Sequence, residues 1–474
     1  MGLAALAIVI LPVTWATLLI VGSIVVVVTL VRPQIGVLLL VPAVPFGSIR
    51  QVTVGAMNVG VTEALMALIL AAWFMRLVVR RKIRILWPPL SLLLLLFLGA
   101  LLLSLIGASS LQHSLKEIIK WVEVLILYLF VVNELSGRWI KALILVILGT
   151  GTLAALHGIY QFLFQVGPEG FILFDRFMRA YGTFEQPNPY AGYLGLTLPL
   201  AMGLMAAGIV RVKKRVSGAW WLWAAGSGML MLAAMIMSWS RGAWIGFGTA
   251  VVAMGAAVLA RSGRAAILIV VLVVLIFYGL VAEGNVLIPS SFLQRFSDFI
   301  PYLGVVDVRG KEITDANFAV LERMAHWQAA LAMWADHPWF GVGIGNYEVV
   351  YARYALPMWP LPLGHAHNYY LNIGAEAGTV GLGAYLLLWS VALVIAWRST
   401  RRTQGWEWAV SLGVFGALVH LCVHNLFDNL FVHAMYLHVA VLLGIRLGDM
   451  TENSGAIGHG MGSEAISMGG GGPH

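Results

Sequence analysis

Residues 60–106 read GVTEALMALILAAWFMRLVVRRKIRILWPPLSLLLLLFLGALLLSLI. Two apolar runs, each near the roughly 20 residues a helix needs to cross a bilayer, flank a loop carrying Arg76, Arg80, Arg81, Lys82 and Arg84. Base gathered in a short loop and excluded from the runs beside it is the positive-inside pattern, which puts that loop in the cytoplasm. Further apolar runs lie near 112–133, 138–165, 189–209, 218–238, 242–260, 265–283, 367–397, 407–427 and 430–447. Alternating from the first loop, Arg138 and Lys141, then Arg211, Lys213, Lys214 and Arg215, then Arg261 and Arg264, then Arg398, Arg401 and Arg402 all fall inside. Five clusters agree on one topology.

Composition says the same. Of 474 residues, 60% are hydrophobic and only 11% charged, whereas soluble domains run near a quarter charged. So much apolar surface cannot be hidden in one aqueous core, and the bilayer is the natural solvent. The excess of base, 29 Lys and Arg against 21 acids, sits in short clusters between apolar runs. It reports orientation in membrane lipids and argues against nucleic acid as a partner. One cysteine, Cys422, permits no intrachain disulfide and argues against a Cys/His zinc site.

The expected fold is all-α: a polytopic transmembrane bundle of about 12 spans, or 14 if residues 4–31 form a hairpin. Residues 4–31 and 34–46 are apolar but broken by Pro12, Pro33, Pro42 and Pro45. Four regions follow: N-terminal spans over 1–283, a long outer loop over 284–366, C-terminal spans over 367–447, and a Gly-rich cytoplasmic tail over 448–474. The start, MGLAALAIVI, has no charged n-region and reads as a retained span rather than a signal peptide. Within the outer loop, Leu321, Met324, Leu331 and Trp334 recur at helical spacing, so Phe318–Trp334 should form an amphipathic helix lying on the bundle. Arg323 and His326 should project from its opposite side.

Basic residues on the outer side run against the positive-inside bias. Arg176, Arg179, Arg241, Arg295, Arg309, Arg323, Arg353, His365 and His367 all fall there, several at the very ends of spans. Ionisable groups at a membrane boundary snorkel, pair or act. For Arg179, Arg241, Arg323 and His367 together, convergence on an anionic ligand is the better reading, because the guanidinium fork pairs with phosphate and keeps its charge. Several other features have plainer readings. Glu123, an acid within LKEIIKWVEVL, should pair with Lys120 or Lys116 on its own helix. His424 and Asp428 should share a local hydrogen bond in the last outer turn. Gly341, Gly343 and Gly345 lack the βαβ setting of a nucleotide loop and should form a tight turn seating the amphipathic helix. Most of the 18 tryptophans suit an aromatic belt. Some outer ones, such as Trp339 and Trp359, could stack on sugar rings, with none singled out.

At these residues the chain resembles the O-antigen ligase and polymerase family of bacterial inner-membrane glycosyltransferases. The resemblance rests on GIYQF (158–162), RAYGTFEQPNPYAGYL (179–194), SWSRGAW (238–244), HPWFGVGIGNY (337–347) and HAHNYYLNIGAEAGTVGLGAYL (365–386). The last holds His367–Asn368 and, nine residues on, Gly378-x-x-Gly381, a spacing that leans toward the ligases. The resemblance implies a multi-pass protein of the cytoplasmic membrane with its active site facing the periplasm. Its donor would be a glycan on undecaprenyl diphosphate, and its acceptor a hydroxyl of lipid A-core or of another glycan. Transfer would invert the anomeric centre and use neither cofactor nor metal. His367 would be the essential histidine, and Arg241, Arg323 and Arg179 would bind the diphosphate. His365, Asn368, Tyr181 and Gln161 would support the site or touch substrate. An imidazole, titrating ordinarily near 6.5, suits removal of a hydroxyl proton at neutral pH. Polymerase and protein O-oligosaccharyltransferase remain alternatives within the family. A transporter or flippase of an anionic lipid-linked glycan is the alternative outside it.

Overall fold

The computed structural model describes residues 12–47, 52–54, 57–80, 85–173, 176–209, 217–262, 307–314 and 317–445. Among them the chain is helical almost throughout. The fourteen α-helices of the described residues are α1 (Val13–Val31), α2 (Pro33–Phe46), α3 (Val61–Arg80), α4 (Pro89–Leu103), α5 (Leu111–Glu134), α6 (Arg138–Phe164), α7 (Pro187–Ile209), α8 (Gly218–Met237), α9 (Arg241–Ser262), α10 (Phe318–Asp336), α11 (Tyr347–Val350), α12 (Tyr369–Arg402), α13 (Gly405–His424) and α14 (Met435–Gly444). Eight of the described helices are long and apolar enough to cross a membrane, with α4 counted through Gly107. The protein is a multi-pass helical bundle.

Local sequence explains the boundaries. Pro33 and Pro89 stand at the first turns of α2 and α4, where a missing N–H costs nothing and the fixed φ suits the helix. α6 stops at Gln165, which turns left-handed at φ 54°. Pro42 and Pro45 lie within α2 rather than ending it, so 13–31 and 33–46 are two single helices meeting at Arg32. The predicted span at 265–283, Arg295 and the tail lie outside the described residues.

α5 spans the predicted 112–133 but carries Lys116, Glu117, Lys120, Glu123 and Glu134, too much charge for a purely apolar span. Four of these five charged groups have partners, Glu134 lying 3.9 Å from Arg76 of α3. Glu123 Oε2 accepts from the Tyr436 hydroxyl of α14 at 2.6 Å, while Lys120 pairs with Glu117. The expected pairing of Glu123 with a lysine of its own helix is therefore replaced by a bond between helices. The last helix is also shorter than predicted, because residues 425–434 form an irregular turn before α14 begins. α14 packs on α5 and is buried along its whole length.

The tightest pairing in the bundle is α7 against α13. Both faces are rich in small residues (Gly192, Gly195, Gly203 on α7; Gly413, Gly416 on α13), and a Cβ on any of them would crowd the partner helix, with Leu430 closer still at Gly192 and Met254 of α9 at Gly416. Small residues let backbones approach closely where apolar lipid gives helices no solvent reason to associate. This rigid pair carries the turn that will matter below.

The amphipathic helix α10 exists, and it packs against α12. Leu321, Met324, Ala325, Ala329, Ala330 and Met333 are buried. His326 does not project outward as expected; it is 1% exposed. The segment 347–359 closes over that side of α10, so His326 Nδ1 meets the Tyr347 hydroxyl at 2.9 Å and its ring stacks on Tyr351 at 4.8 Å. The Gly341–Gly345 segment is a tight turn, as expected. All three glycines have positive φ, of 69°, 96° and 75°. It is tied down by Val342 N–H donating to Ala375 O and Tyr347 N–H donating to Glu376 Oε1, both at 2.9 Å. Glu376 is an acid buried in the middle of an apolar helix. Its task is to satisfy that loop.

Candidate active site

Three loops meet where the helices end. The first follows α6, where a short antiparallel ladder pairs Ile172–Leu173 with Phe177–Met178 and delivers Arg179. Its Nε donates to Ser238 O at 2.9 Å and its Nη2 to Asn188 Oδ1 at 3.1 Å. The second is the reversal between α8 and α9. Trp239 takes φ 55° there, and Arg241 becomes the first residue of α9. The third is the turn after α13, which carries Phe427 and Asp428. Arg323 reaches the same place from α10.

Together these residues line one cleft: Arg179, Ser240, Arg241, Arg323, His424 and Asp428 are among its walls. Its volume is about 60 Å³, the room of a few water molecules. That fits a phosphate group better than a sugar. Three guanidinium groups face a single carboxylate, and the N-terminus of α9 adds its own positive end, where backbone N–H groups favour an anion. Of the other basic residues expected on the outer side, within the described region, Arg176, Arg309 and Arg353 stay away. Arg176 lies over the Phe177 ring, Arg309 pairs with Asp307 at 2.8 Å, and Arg353 is exposed.

Beyond the Asp428 wall stand two histidines. His365 Nε2 is 3.8 Å and His367 Nδ1 is 3.9 Å from Asp428 Oδ1. These are charge contacts with room to close, longer than a hydrogen bond. Both ring nitrogens of His367 are covered and have no hydrogen-bond partner among the described residues. Its ring meets that of His326 edge-on at 5.6 Å. Burial raises the Asp428 carboxyl, but the imidazoles of His367 and His365 and the Arg323 guanidinium outweigh it, and the net effect is well below the usual range. Burial first, then the neighbouring His367, pushes His326 down to about 4. Burial also raises Glu322, opposed by His367 and Arg323.

One ligand atom each from His365, His367 and Asp428 lie within 4.8 Å of one another, the only such group among the described residues. Two imidazoles and a carboxylate are a familiar metal donor set. Ligands at roughly 2.0–2.1 Å in a tetrahedron sit about 3.4 Å apart, so the group would have to contract. More decisively, His365 Nδ1 accepts the His367 N–H at 3.0 Å. The proton of a neutral His365 is then on Nε2, the atom a metal would need bare. The tautomer that this hydrogen bond fixes argues against a ligand set.

The remaining residues singled out in the sequence have structural work. Gln161 Oε1 accepts from Tyr181 N and Gly182 N, and its Nε2 donates to Gly182 O at 2.9 Å. Its amide is spent on the loop that carries Arg179. Tyr181 packs on Phe171 and does not line the cleft. Asn368 caps α12, accepting from Tyr370 N at 3.0 Å and Leu371 N at 3.1 Å. Trp359 is buried with its ring against Phe318, so it cannot offer a face to a sugar as expected; Trp339 is exposed. His424 and Asp428 share the expected local hydrogen bond through the backbone, Asp428 N–H donating to His424 O at 3.1 Å, while their side chains part. His424 Nδ1 lies 3.3 Å from His420 Nε2, and Asp428 turns to the two histidines. Asp428 was missed as a site residue. The turn around it, HNLFDN, shows nothing local of the contact.

In this polytopic bundle a cleft lined by three arginines lies beside a histidine–carboxylate cluster, an arrangement able to hold an anion next to a proton-transfer group. Residues 226–386, from α8 into α12 and about a third of the chain, match the family model for O-antigen ligase. That segment holds Arg241, Arg323, His365, His367 and Asn368. Arg179, Gln161, Tyr181 and Asp428 lie outside it. No curated protein matches the chain.

Proposed function

We propose that the protein moves a glycan from an undecaprenyl-diphosphate carrier to an acceptor hydroxyl at the outer face of the cytoplasmic membrane. The observation that carries this reading is the convergence of Arg179, Arg241 and Arg323 on one cleft whose far wall, Asp428, contacts His367. The diphosphate occupies the cleft with its sugar toward Asp428. The Asp428 carboxylate favours the His367 tautomer with its proton on Nδ1, which leaves Nε2 to accept the acceptor's proton. The acceptor oxygen forms its bond to the anomeric carbon as the carbon–oxygen bond to the diphosphate breaks. The electron pair leaves on the diphosphate, where the arginines and the α9 N-terminus stabilise it. Attack opposite the leaving group inverts the centre. Because both nitrogens of His367 are covered at rest, acceptor binding must turn or uncover the ring.

The test is transfer by the purified protein in proteoliposomes, with a lipid-diphosphate glycan donor and either a lipid A-core acceptor or a second lipid-linked glycan. Donor-dependent product with inverted configuration and no need of an ion gradient supports the reading, and the acceptor used separates ligase from polymerase. Gradient-coupled movement of the lipid-linked glycan without transfer would instead make the protein a transporter.

A further inference from the structure

His367 has φ 52°, a left-handed conformation that few residues with side chains adopt and that surroundings must enforce. Three bonds surround it. Ala366 N–H donates to Asn372 Oδ1 at 3.1 Å, Tyr369 N–H to Asn425 O at 2.8 Å, and the N–H of His367 itself to His365 Nδ1 at 3.0 Å.

The last bond has a chemical consequence. An N–H aimed at Nδ1 requires a lone pair there. Burial, then the neighbouring His367, lowers the His365 imidazole to about 3, against a smaller opposing pull from Asp428. It is therefore neutral at physiological pH and carries its one proton on Nε2, which faces Asp428 Oδ1 across 3.8 Å. One ring thus accepts from the backbone of His367 and offers a proton to the carboxylate that faces His367 Nδ1. The rings of His365 and His367 lie edge to face at 4.5 Å, which fixes the second by the first.

We propose that His365 is a positioning residue: through Nδ1 it holds the left-handed backbone of His367, and through Nε2–H it holds Asp428 against the His367 ring. This rests on the reading of His367 as the base. The two atoms can be separated by isosteres. In His365→Asn the amide oxygen falls near the place of Nδ1 and keeps the acceptor. In His365→Gln the amide nitrogen falls near the place of Nε2 and keeps only the donor.

The experiment compares His365→Asn, His365→Gln and His365→Ala in the full-length protein by two readouts. In the transfer assay, Ala should lower kcat on the order of 10²-fold with donor KM nearly unchanged, Asn should recover at least about tenfold of that loss, and Gln should recover less than Asn. Without substrate, diethylpyrocarbonate should modify His367 several-fold faster in the Gln and Ala variants and near the wild-type rate in Asn, read by peptide mass spectrometry. The proposal is overturned if Gln is as active as Asn, if the loss lies in donor KM, or if His367 labels at one rate in all three variants. The labelling arm needs no turnover, so it decides the positioning role even if the wild-type protein transfers no glycan.

Discussion

Replacing Gly378 by Ala tests how the signature helix is built. Within α12, Gly378 has φ 65° and ψ −166°, a region only glycine occupies comfortably, and an L-residue forced there costs about 1–3 kcal/mol. A Cβ would also collide with the carbonyl carbon and oxygen of Trp339 and crowd Phe340 N. These are backbone atoms, pinned by Thr379 N–H to Pro338 O at 2.8 Å and Val380 N–H to Trp339 O at 3.3 Å. They cannot swing aside as a side chain would. Overpacking of this kind adds about 1–3 kcal/mol, so the total is about 2–6 kcal/mol. At about 2 °C per kcal/mol for a long chain, Gly378→Ala should lower the Tm in detergent by roughly 4–12 °C. Gly383→Ala on the same helix is the matched control, because nothing lies within 4 Å of its Cβ. It should be neutral or gain up to about 1 kcal/mol from helix propensity. Equal Tm for the two variants would refute the claim that the kink at Gly378 seats the 338–342 loop.

Two further outcomes follow from the site's supports. Asn368→Ala removes the α12 cap and should cost about 1 kcal/mol, while Asn368→Asp keeps an acceptor there and should retain most of the stability; thermal unfolding of both variants checks it. Lowering the pH should destabilise the fold from about 6.5 downward. His326 and His365, held near 4 and 3 when folded, bind protons near 6.5 once unfolded. The unfolded state then holds more protons, and each histidine takes away about 1.4 kcal/mol per pH unit until its folded value is reached. Asp428 adds nothing to this window, since a depressed carboxyl loses its contribution only as the pH falls below its unfolded value of about 3.9. Tm measured from pH 7.5 to 5.0 should fall, and fall less steeply in His326→Gln.

Much of the bundle was legible because lipid imposes one simple rule. A span must be long, apolar and helical, so the hydropathy of 60–106 alone fixes two helices to within a few residues. The gathering of Arg179, Arg241 and Arg323 was legible for a related reason, since basic residues outside the membrane need a partner. What stayed hidden depends on contacts distant in sequence. Asp428 lies 3.9 Å from His367 across a whole helical hairpin, and its neighbours carry no sign of it. His326 looked polar and therefore outward, but Tyr347 and Tyr351 cover it. Glu123 had lysines at helical spacing, yet Tyr436 of α14 supplied the bond. The motif glycines were visible, while the kink at Gly378 was not, because a bend in an apolar run leaves its periodicity nearly intact.

The central claim is that His367 takes the acceptor's proton beside a diphosphate held by arginines. The most direct measurement is single-turnover transfer by His367→Ala, with donor binding measured on the same preparation. Donor affinity should stay within a few-fold of wild type while the rate falls by about 10²–10⁴-fold. Transfer at close to the wild-type rate would contradict the account.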